Sequence, residues 1–150
     1  MKIALGSDHA GVEAKDRLVQ MLQGLGHDVD DLGTHGPDSV DYPDYALLVA
    51  RKVSAGEVER GILVCGTGIG MAITANKVAG VRAAKVNDPF EAKMCRAHND
   101  ANVLCLGARV VDPTVMDEMV RVYVDEAFEG GRHATRVGKM NDAEASSTAG

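Results

Sequence analysis

The sequence predicts an α/β fold, an open and mainly parallel sheet of five strands with helices covering both faces. Three observations carry that expectation. Short apolar runs alternate with stretches of helical periodicity almost from end to end. The clearest of these runs are continuous rather than alternating, the pattern of strands buried on both sides. Glycines (17 of them) and Asp-Pro pairs fall between the segments, where turns and helix starts are needed.

Residues 2–6 read as the first strand, with Ile3, Ala4 and Leu5 unbroken. A helix follows over 12–25, because Leu18, Val19, Leu22 and Leu25 fall three or four apart; Gly26 stands where a C-terminal cap belongs. Residues 27–32 are a weaker strand and 33–41 a polar loop. The helix at 42–54 has Pro43 in its first turn, sets Ala46, Val49, Ala50 and Val53 on one face, and is ended by Gly56. The clearest strand is 61–65, and a glycine-rich turn leads from it into a helix ending near Lys77. Residues 81–86 are the fourth strand. Asp88 and Pro89 then read as N-cap and first helical residue of a helix through Phe90, Met94 and Cys95 to about Ala97. Residues 103–106 are the fifth strand, and Asp112-Pro113 repeats the cap signal ahead of a long helix through Met116, Met119, Val120, Tyr123 and Phe128. Gly130 and Gly131 break it, which leaves 132–150 as a polar tail, frayed over the small-residue stretch 143–150. No repeat or linker divides the chain. Residues 1–150 are therefore expected to form a single domain in three layers, a Rossmann-like α/β/α sandwich.

Composition narrows the function classes. Apolar residues at 45% and charged residues at 25% are those of an ordinary globular protein. With three Tyr, two Phe and no Trp, the core must be filled by Ala, Val, Leu, Ile and Met. A net charge of −6 disfavours nonspecific binding to nucleic acid or to anionic membranes. No apolar stretch approaches the ~18–20 residues that span a bilayer. The opening apolar run is too short for a secretion signal before Asp8 and His9 interrupt it. Three cysteines without CxxC spacing indicate neither a disulfide framework nor a zinc knuckle, and Cys95 and Cys105 read as small buried hydrophobes. The expected compartment is a reducing cytoplasm.

Ligands of such a sheet bind beyond the carboxyl ends of its strands, so the residues just after each strand are the ones to read. Cys65-Gly66-Thr67-Gly68-Ile69-Gly70 sits where a strand meets a helix. Its alternating glycines let backbone N–H groups face one concavity, which suits a phosphate or a transient oxyanion. It is not the dinucleotide fingerprint, because Gly70 comes one residue early, nor a P-loop, which lacks its Gly-Lys-Ser/Thr here. A purely structural turn is the competing reading. Cys65 at its lip faces N–H donors that favour a thiolate, fit for a nucleophile or a carbon-acid base, against the alternative of a core cysteine. Asp8 and His9 follow the first strand, and His98 and Asn99 precede the fifth, so two histidines and a cysteine are expected near one sheet edge. A metal site built from His9, His35, His98 and Cys65 is disfavoured because none has a short helical ligand spacing. Arg132 and Arg136, four apart, share a face if their segment is helical and then grip one phosphate; otherwise they belong to a solvated tail. Arg109, just past the fifth strand, is a third cation at the binding edge, and an acidic chain needs such a local cluster to bind an anion.

Taken in order, Gly6-Ser7-Asp8-His9-Ala10-Gly11, Asp41-Tyr42-Pro43, Cys65–Gly70, Ala75-Asn76-Lys77, His98 to Val103, Gly107-Ala108-Arg109 and Gly130-Gly131-Arg132-His133 with Arg136 resemble the type B ribose-5-phosphate isomerases, a family shared with galactose-6-phosphate and allose-6-phosphate isomerases. The resemblance implies a metal- and cofactor-independent aldose–ketose isomerase, most directly of ribose 5-phosphate and ribulose 5-phosphate through a cis-enediolate. It implies Cys65 as the base moving a proton between C1 and C2, and Gly66, Thr67, Gly68, Ile69 and Gly70 as the cradle of the enediolate, Thr67 relaying protons. It implies His98 as the acid that opens the furanose ring, Asp8 and His9 as sugar contacts, Asn99 and Arg109 as binding residues, and Arg132 and Arg136 as phosphate ligands. His98, Asn99 and Arg109 come in that family from a neighbouring subunit, so a homodimer with shared sites is implied, with a tetramer as the larger alternative and the 130–150 tail packing on the partner. Some members use a glutamate just after the last glycine; Met71 stands there, which places this chain in the thiol branch. The rivals are the same chemistry on another phosphosugar (allose 6-phosphate, galactose 6-phosphate or a tetrulose phosphate) and a noncatalytic phosphosugar-binding module.

Overall fold

The structure, a computed structural model, describes residues 1–148. Its strands are β1 (Lys2–Ser7), β2 (Asp28–Asp31), β3 (Arg60–Cys65), β4 (Ala83–Lys85) and β5 (Val103–Gly107). The helices are α1 (Val12–Gly24), α2 (Tyr42–Ser54), α3 (Ile69–Ala75), α4 (Pro89–Ala97), α5 (Pro113–Asp125) and α6 (Arg132–Thr148), with a 3₁₀ turn at His9–Gly11 before α1. Every strand pair is parallel, in the order β2-β1-β3-β5-β4. The chain winds outward one way from β1 to β2 and the other way from β1 to β3. The ends of β1 and β3 therefore flank the topological switch point, where open α/β sheets leave a crevice.

Two apolar layers hold the sheet. On one face Ile3, Leu5, Ile62, Val64, Leu104 and Leu106 pack against α1, α4 and α5. On the other, Ala4, Leu63, Cys65 and Cys105 pack against α2 and α3. Leu18 and Leu22, fully buried on α1, each contribute ~1.5–3 kcal/mol relative to exposure. The Asp-Pro starts behave as expected: Asp88 accepts from the Glu91 N–H at 2.7 Å and Asp112 from the Thr114 N–H at 2.9 Å. Each such cap contributes about 1 kcal/mol. Gly26 takes the left-handed conformation (φ 89°) that closes α1. Cys95 and Cys105 are buried and unbridged, and burial pushes the Cys95 thiol up to about 11 and that of Cys105 further.

Three elements depart from the sequence reading, each for a local reason. β4 is three residues long because Arg82 turns its N–H to the Asn102 side chain at 2.7 Å. The Asn76 amide bonds both the N–H and the C=O of Ala83, in the place of a further strand. α5 stops at Asp125, short of Phe128, because the Arg60 guanidinium takes the carbonyls of Tyr123, Val124 and Glu126. The expected polar tail is a helix of 17 residues, α6, after a turn in which Gly130 and Gly131 both have positive φ. His133 and Val137, four apart, are buried on its inner face, and the Glu144 carboxylate accepts from the Gly80 N–H. Tertiary docking thus orders a segment whose composition reads as solvated. Of the stretch expected to fray, 143–148 belongs to this helix, and the last two residues lie outside those described.

Among the described residues, no helix is long and apolar enough to cross a membrane.

Candidate active site

β3 delivers Cys65 to the carboxyl edge of the sheet, in register with Gly107 of β5, while Ser7 pairs with Val64. Asp8 and Cys65 therefore meet across the switch point. Both are nearly buried, and they line an open cleft of about 440 Å³ with Tyr42, Thr67, Gly70 and Arg109.

The turn after Cys65 is fixed by backbone contacts. Gly68 has φ 80°, and a side chain there would meet the Leu106 backbone at 2.9 Å, so only glycine serves. That conformation aims the Gly68 N–H at Cys65 Sγ, 3.1 Å away, the bond that a thiolate accepts best. The Ile69 N–H donates to Thr67 Oγ1 at 3.3 Å. Two of the nest's donors are thus engaged in holding the thiol and the hydroxyl. Gly66 leaves room for Arg109, whose Nη1 would lie 3.2 Å from a side chain at 66. The Arg109 N–H bonds the Gly66 carbonyl at 2.9 Å. Arg109 thus lies beside the nest of its own chain, where the family resemblance implied the copy of a neighbouring subunit.

Asp8 Oδ1 accepts from the N–H groups of Ala10 and Gly11 at 3.0 and 3.2 Å, which fixes the turn carrying His9. The Val40 N–H donates to His9 Nδ1 at 3.2 Å, so in the neutral ring Nε2 bears the proton.

His98 and Asn99 are elsewhere, which corrects the expectation that two histidines and a cysteine share one edge. α4 runs back across the sheet from the end of β4. The Asn99 carbonyl then accepts from Arg82 Nε at 3.2 Å, ahead of β4, and the Asn102 carbonyl accepts from the Gly61 N–H at the start of β3. Both lie at the amino edge. The register Gly61↔Val103 to Cys65↔Gly107 separates the edges by four residues, about 13 Å along the strands. α6 starts beside them and brings Arg132 and Arg136 to the same region, both exposed. His133, between them in sequence, stacks on His98 with ring centroids 4.1 Å apart and planes 11° from parallel. Its Nε2 is 3.4 Å from Glu129 Oε2, and that of His98 is 4.0 Å from the same oxygen.

Those three residues are also the group among the described residues with metal-ligating atoms close together, within 4.8 Å of one another. Near-parallel imidazoles direct their nitrogen lone pairs side by side rather than onto one point. The arrangement suits a carboxylate bridging two N–H groups better than a tetrahedral ion.

The geometry singles out three residues, Tyr42, Glu129 and His133, to which the sequence reading gave no role. Tyr42, 41% exposed, places its ring so close to Gly70 that a side chain there would meet it at 2.5 Å. An aromatic in the first turn of a helix that starts from the carboxyl edge was the available signal. Glu129 and His133 carried only their i,i+4 spacing.

The family model described as Ribose/Galactose Isomerase matches residues 3–140. The ribose-5-phosphate isomerase B of Escherichia coli is 46% identical over 136 residues, 91% of each chain. A D-erythrulose-4-phosphate isomerase of Pectobacterium atrosepticum is 42% identical over 142 residues, 93% of each chain. Among solved structures, the ribose-5-phosphate isomerase B of Clostridium thermocellum superposes with a TM-score of 0.96 at 50% identity, covering 97% of this chain and 99% of that one. A family model matched over nearly the whole chain, together with a fold shared over 97% of it with such an enzyme, makes this chain an isomerase that belongs to the ribose/galactose isomerase family.

Proposed function

We propose that the chain interconverts ribose 5-phosphate and ribulose 5-phosphate through a cis-enediolate, in sites that two copies complete together. The observation that carries this reading is the split of the chemistry between two sheet edges. Cys65, Thr67, Asp8 and Arg109 gather at the carboxyl edge, and His98, Asn99, Arg132 and Arg136 at the amino edge of the same chain. Groups that act on C1, C2, the ring oxygen and the phosphate of one pentose must all touch it. The edges of one chain are too far apart for that, so each edge serves a site with the opposite edge of a second copy. Exposed apolar side chains around the cleft (Ile69, Ile73 and Val110) support cover by such a copy.

In this reading the imidazolium of His98 protonates the ring oxygen and opens the furanose, and Arg132 and Arg136 hold the phosphate. The Cys65 thiolate takes the proton from C2, and the electron pair forms the C1–C2 double bond with negative charge on O1. The backbone of residues 66–70 and the Arg109 guanidinium face that charge. The thiol then returns the proton to C1 while Thr67 passes the O2 proton to O1, leaving the ketose. Asp8, His9 and Asn99 hold the sugar hydroxyls. A positioned base contributes ~10²–10⁴-fold in rate, and fixed donors at the oxyanion contribute a comparable factor.

The test is complementation. Chains with Cys65→Ala and chains with His98→Ala are each expected to be inactive. Mixed and allowed to exchange subunits, they regain activity through hybrid sites that pair an intact carboxyl edge with an intact amino edge. Proven exchange without recovered activity rules out the shared site. The similarity to a D-erythrulose-4-phosphate isomerase supports a second reading, the same chemistry on a four-carbon phosphosugar. Turnover of the pentose, tetrose and hexose phosphates side by side decides between them.

A further inference from the structure

The ring-opening acid of the proposed mechanism has its own supporting structure, built from residues that the mechanism does not use. His98 is 38% exposed at its side chain, at the end of α4, where nothing on its own helix fixes the ring. Its orientation comes from the other side. The backbone N–H of Glu129 donates to the Ala97 carbonyl at 3.0 Å, which pins Glu129 beside His98. The strand of chain leading to Glu129 is held by Arg96 and Arg60, which bond the Glu126 carbonyl at 3.3 and 3.4 Å. Arg96 is anchored in turn to the Ala101 carbonyl and the Asp100 carboxylate, both at 2.8 Å. Beyond Glu129 the Gly130-Gly131 turn reverses the chain, and the His133 N–H closes it on the Gly130 carbonyl at 3.0 Å. The buried His133 ring is thereby laid flat on that of His98, and one Glu129 oxygen faces Nε2 of both.

We infer that Glu129 and His133 are positioning residues for the ring-opening step: the Glu129 carboxylate, 4.0 Å from His98 Nε2, orients that edge of the ring, and the stacked His133 sets its plane. This rests on the reading of His98 as the acid. Burial, and then the neighbouring His98 and Arg132, lower the proton affinity of His133. In the step served, His98 gives its proton to the ring oxygen as the C1–O4 bond breaks. The C1 hydroxyl loses its proton to water as the aldehyde forms, and His98 is reprotonated from solvent.

Ring opening can be read separately from isomerisation. A Cys65→Ala enzyme has no base for the C2 proton, yet it opens and recloses bound ribose 5-phosphate and so exchanges the α and β anomers. Exchange NMR measures that rate directly. In the Cys65→Ala background we expect catalysed anomer exchange, and we expect it to fall about ten-fold with Glu129→Gln, as a donor displaced from its working geometry loses rate. It should fall similarly with His133→Ala, while the affinity for ribose 5-phosphate changes less than two-fold. His133→Phe, which keeps the stack and loses the nitrogen, should recover part of the His133→Ala loss. A merely structural role would weaken binding and exchange together. Adding His98→Asn separates the two claims. If it abolishes exchange and the Glu129 and His133 variants leave exchange unchanged, the inference fails and the reading of His98 stands. If Cys65→Ala catalyses no exchange, or His98→Asn has no effect on it, both fail.

Discussion

The two edges of the sheet each gather candidate site residues and are built by opposite means. The carboxyl edge is backbone. Cys65 sits at a strand end, its partner donor is a main-chain N–H, and the turn is held by approaches so close that Gly68 tolerates no side chain. The amino edge is side chains. His98 and Asn99 lie just past a helix end, and Arg132 and Arg136 ride on α6, which docks through His133, Val137 and Glu144. Precision at the first edge comes from packing, and at the second from ion pairs and a stacked ring. In the proposed mechanism the rigid edge carries the harder step, removal of a carbon-bound proton, where small misplacement is most costly. The proposal gives ring opening and phosphate binding to the adaptable edge.

Breaking the carboxyl edge at its centre should give the largest effect. Cys65→Ala removes the proposed base and is expected to cut turnover by about 10³-fold or more. The thermal midpoint should stay close to that of the parent chain, since a small apolar side chain replaces a small buried one. Steady-state turnover and calorimetry on the same preparation check both halves. Near-normal turnover would remove Cys65 from the mechanism.

A smaller effect tests whether the backbone of that edge matters beyond the thiol. Gly68→Ala forces a side chain into a left-handed residue and against the Leu106 backbone, at an expected cost of about 3 kcal/mol. The Gly68 N–H would swing away from Cys65, so turnover should fall with stability. A urea midpoint unchanged by the substitution would show that the turn relaxes freely and that its packing is not what holds the thiol.

The same contrast explains what the sequence discloses. Strand runs, Asp-Pro caps and the glycine turn are local signals, so the order of elements and the carboxyl-edge residues are legible without coordinates. α2 and α4 begin and end where capping and periodicity place them. The amino edge is set by tertiary contacts. Which end of the sheet His98 occupies depends on the direction of α4, and the polar composition of 132–148 conceals a helix whose burial rests on two side chains four apart. Arg60 ending α5 through main-chain carbonyls leaves no mark in the sequence at all. The family resemblance supplied roles for His98, Arg132 and Arg136, but not the Glu129–His133 support behind them.

The smallest expected effect sharpens the comparison through pH. His133 is buried at the amino edge with Glu129, His98, Arg132 and Arg136 facing it, and burial lowers its proton affinity below that of an unfolded histidine, the two neighbouring arginines and His98 adding to the shift and Glu129 opposing it. The unfolded chain therefore binds more protons at this position than the folded one as pH falls through the ordinary histidine range. By linkage the stability that neutral His133 contributes is present above that range and is lost as pH falls through it. Urea midpoints taken from pH 7.5 down to 5 should decline for the parent chain and decline less for His133→Phe, which keeps the stack without the titration. Equal slopes for the two would mean that His133 stays neutral or stays charged through folding. The amino edge would then owe its geometry to Glu129 and the docking of α6 rather than to a proton withheld from His133. The carboxyl edge, held by main-chain bonds around Cys65, should contribute nothing to the difference between the two slopes.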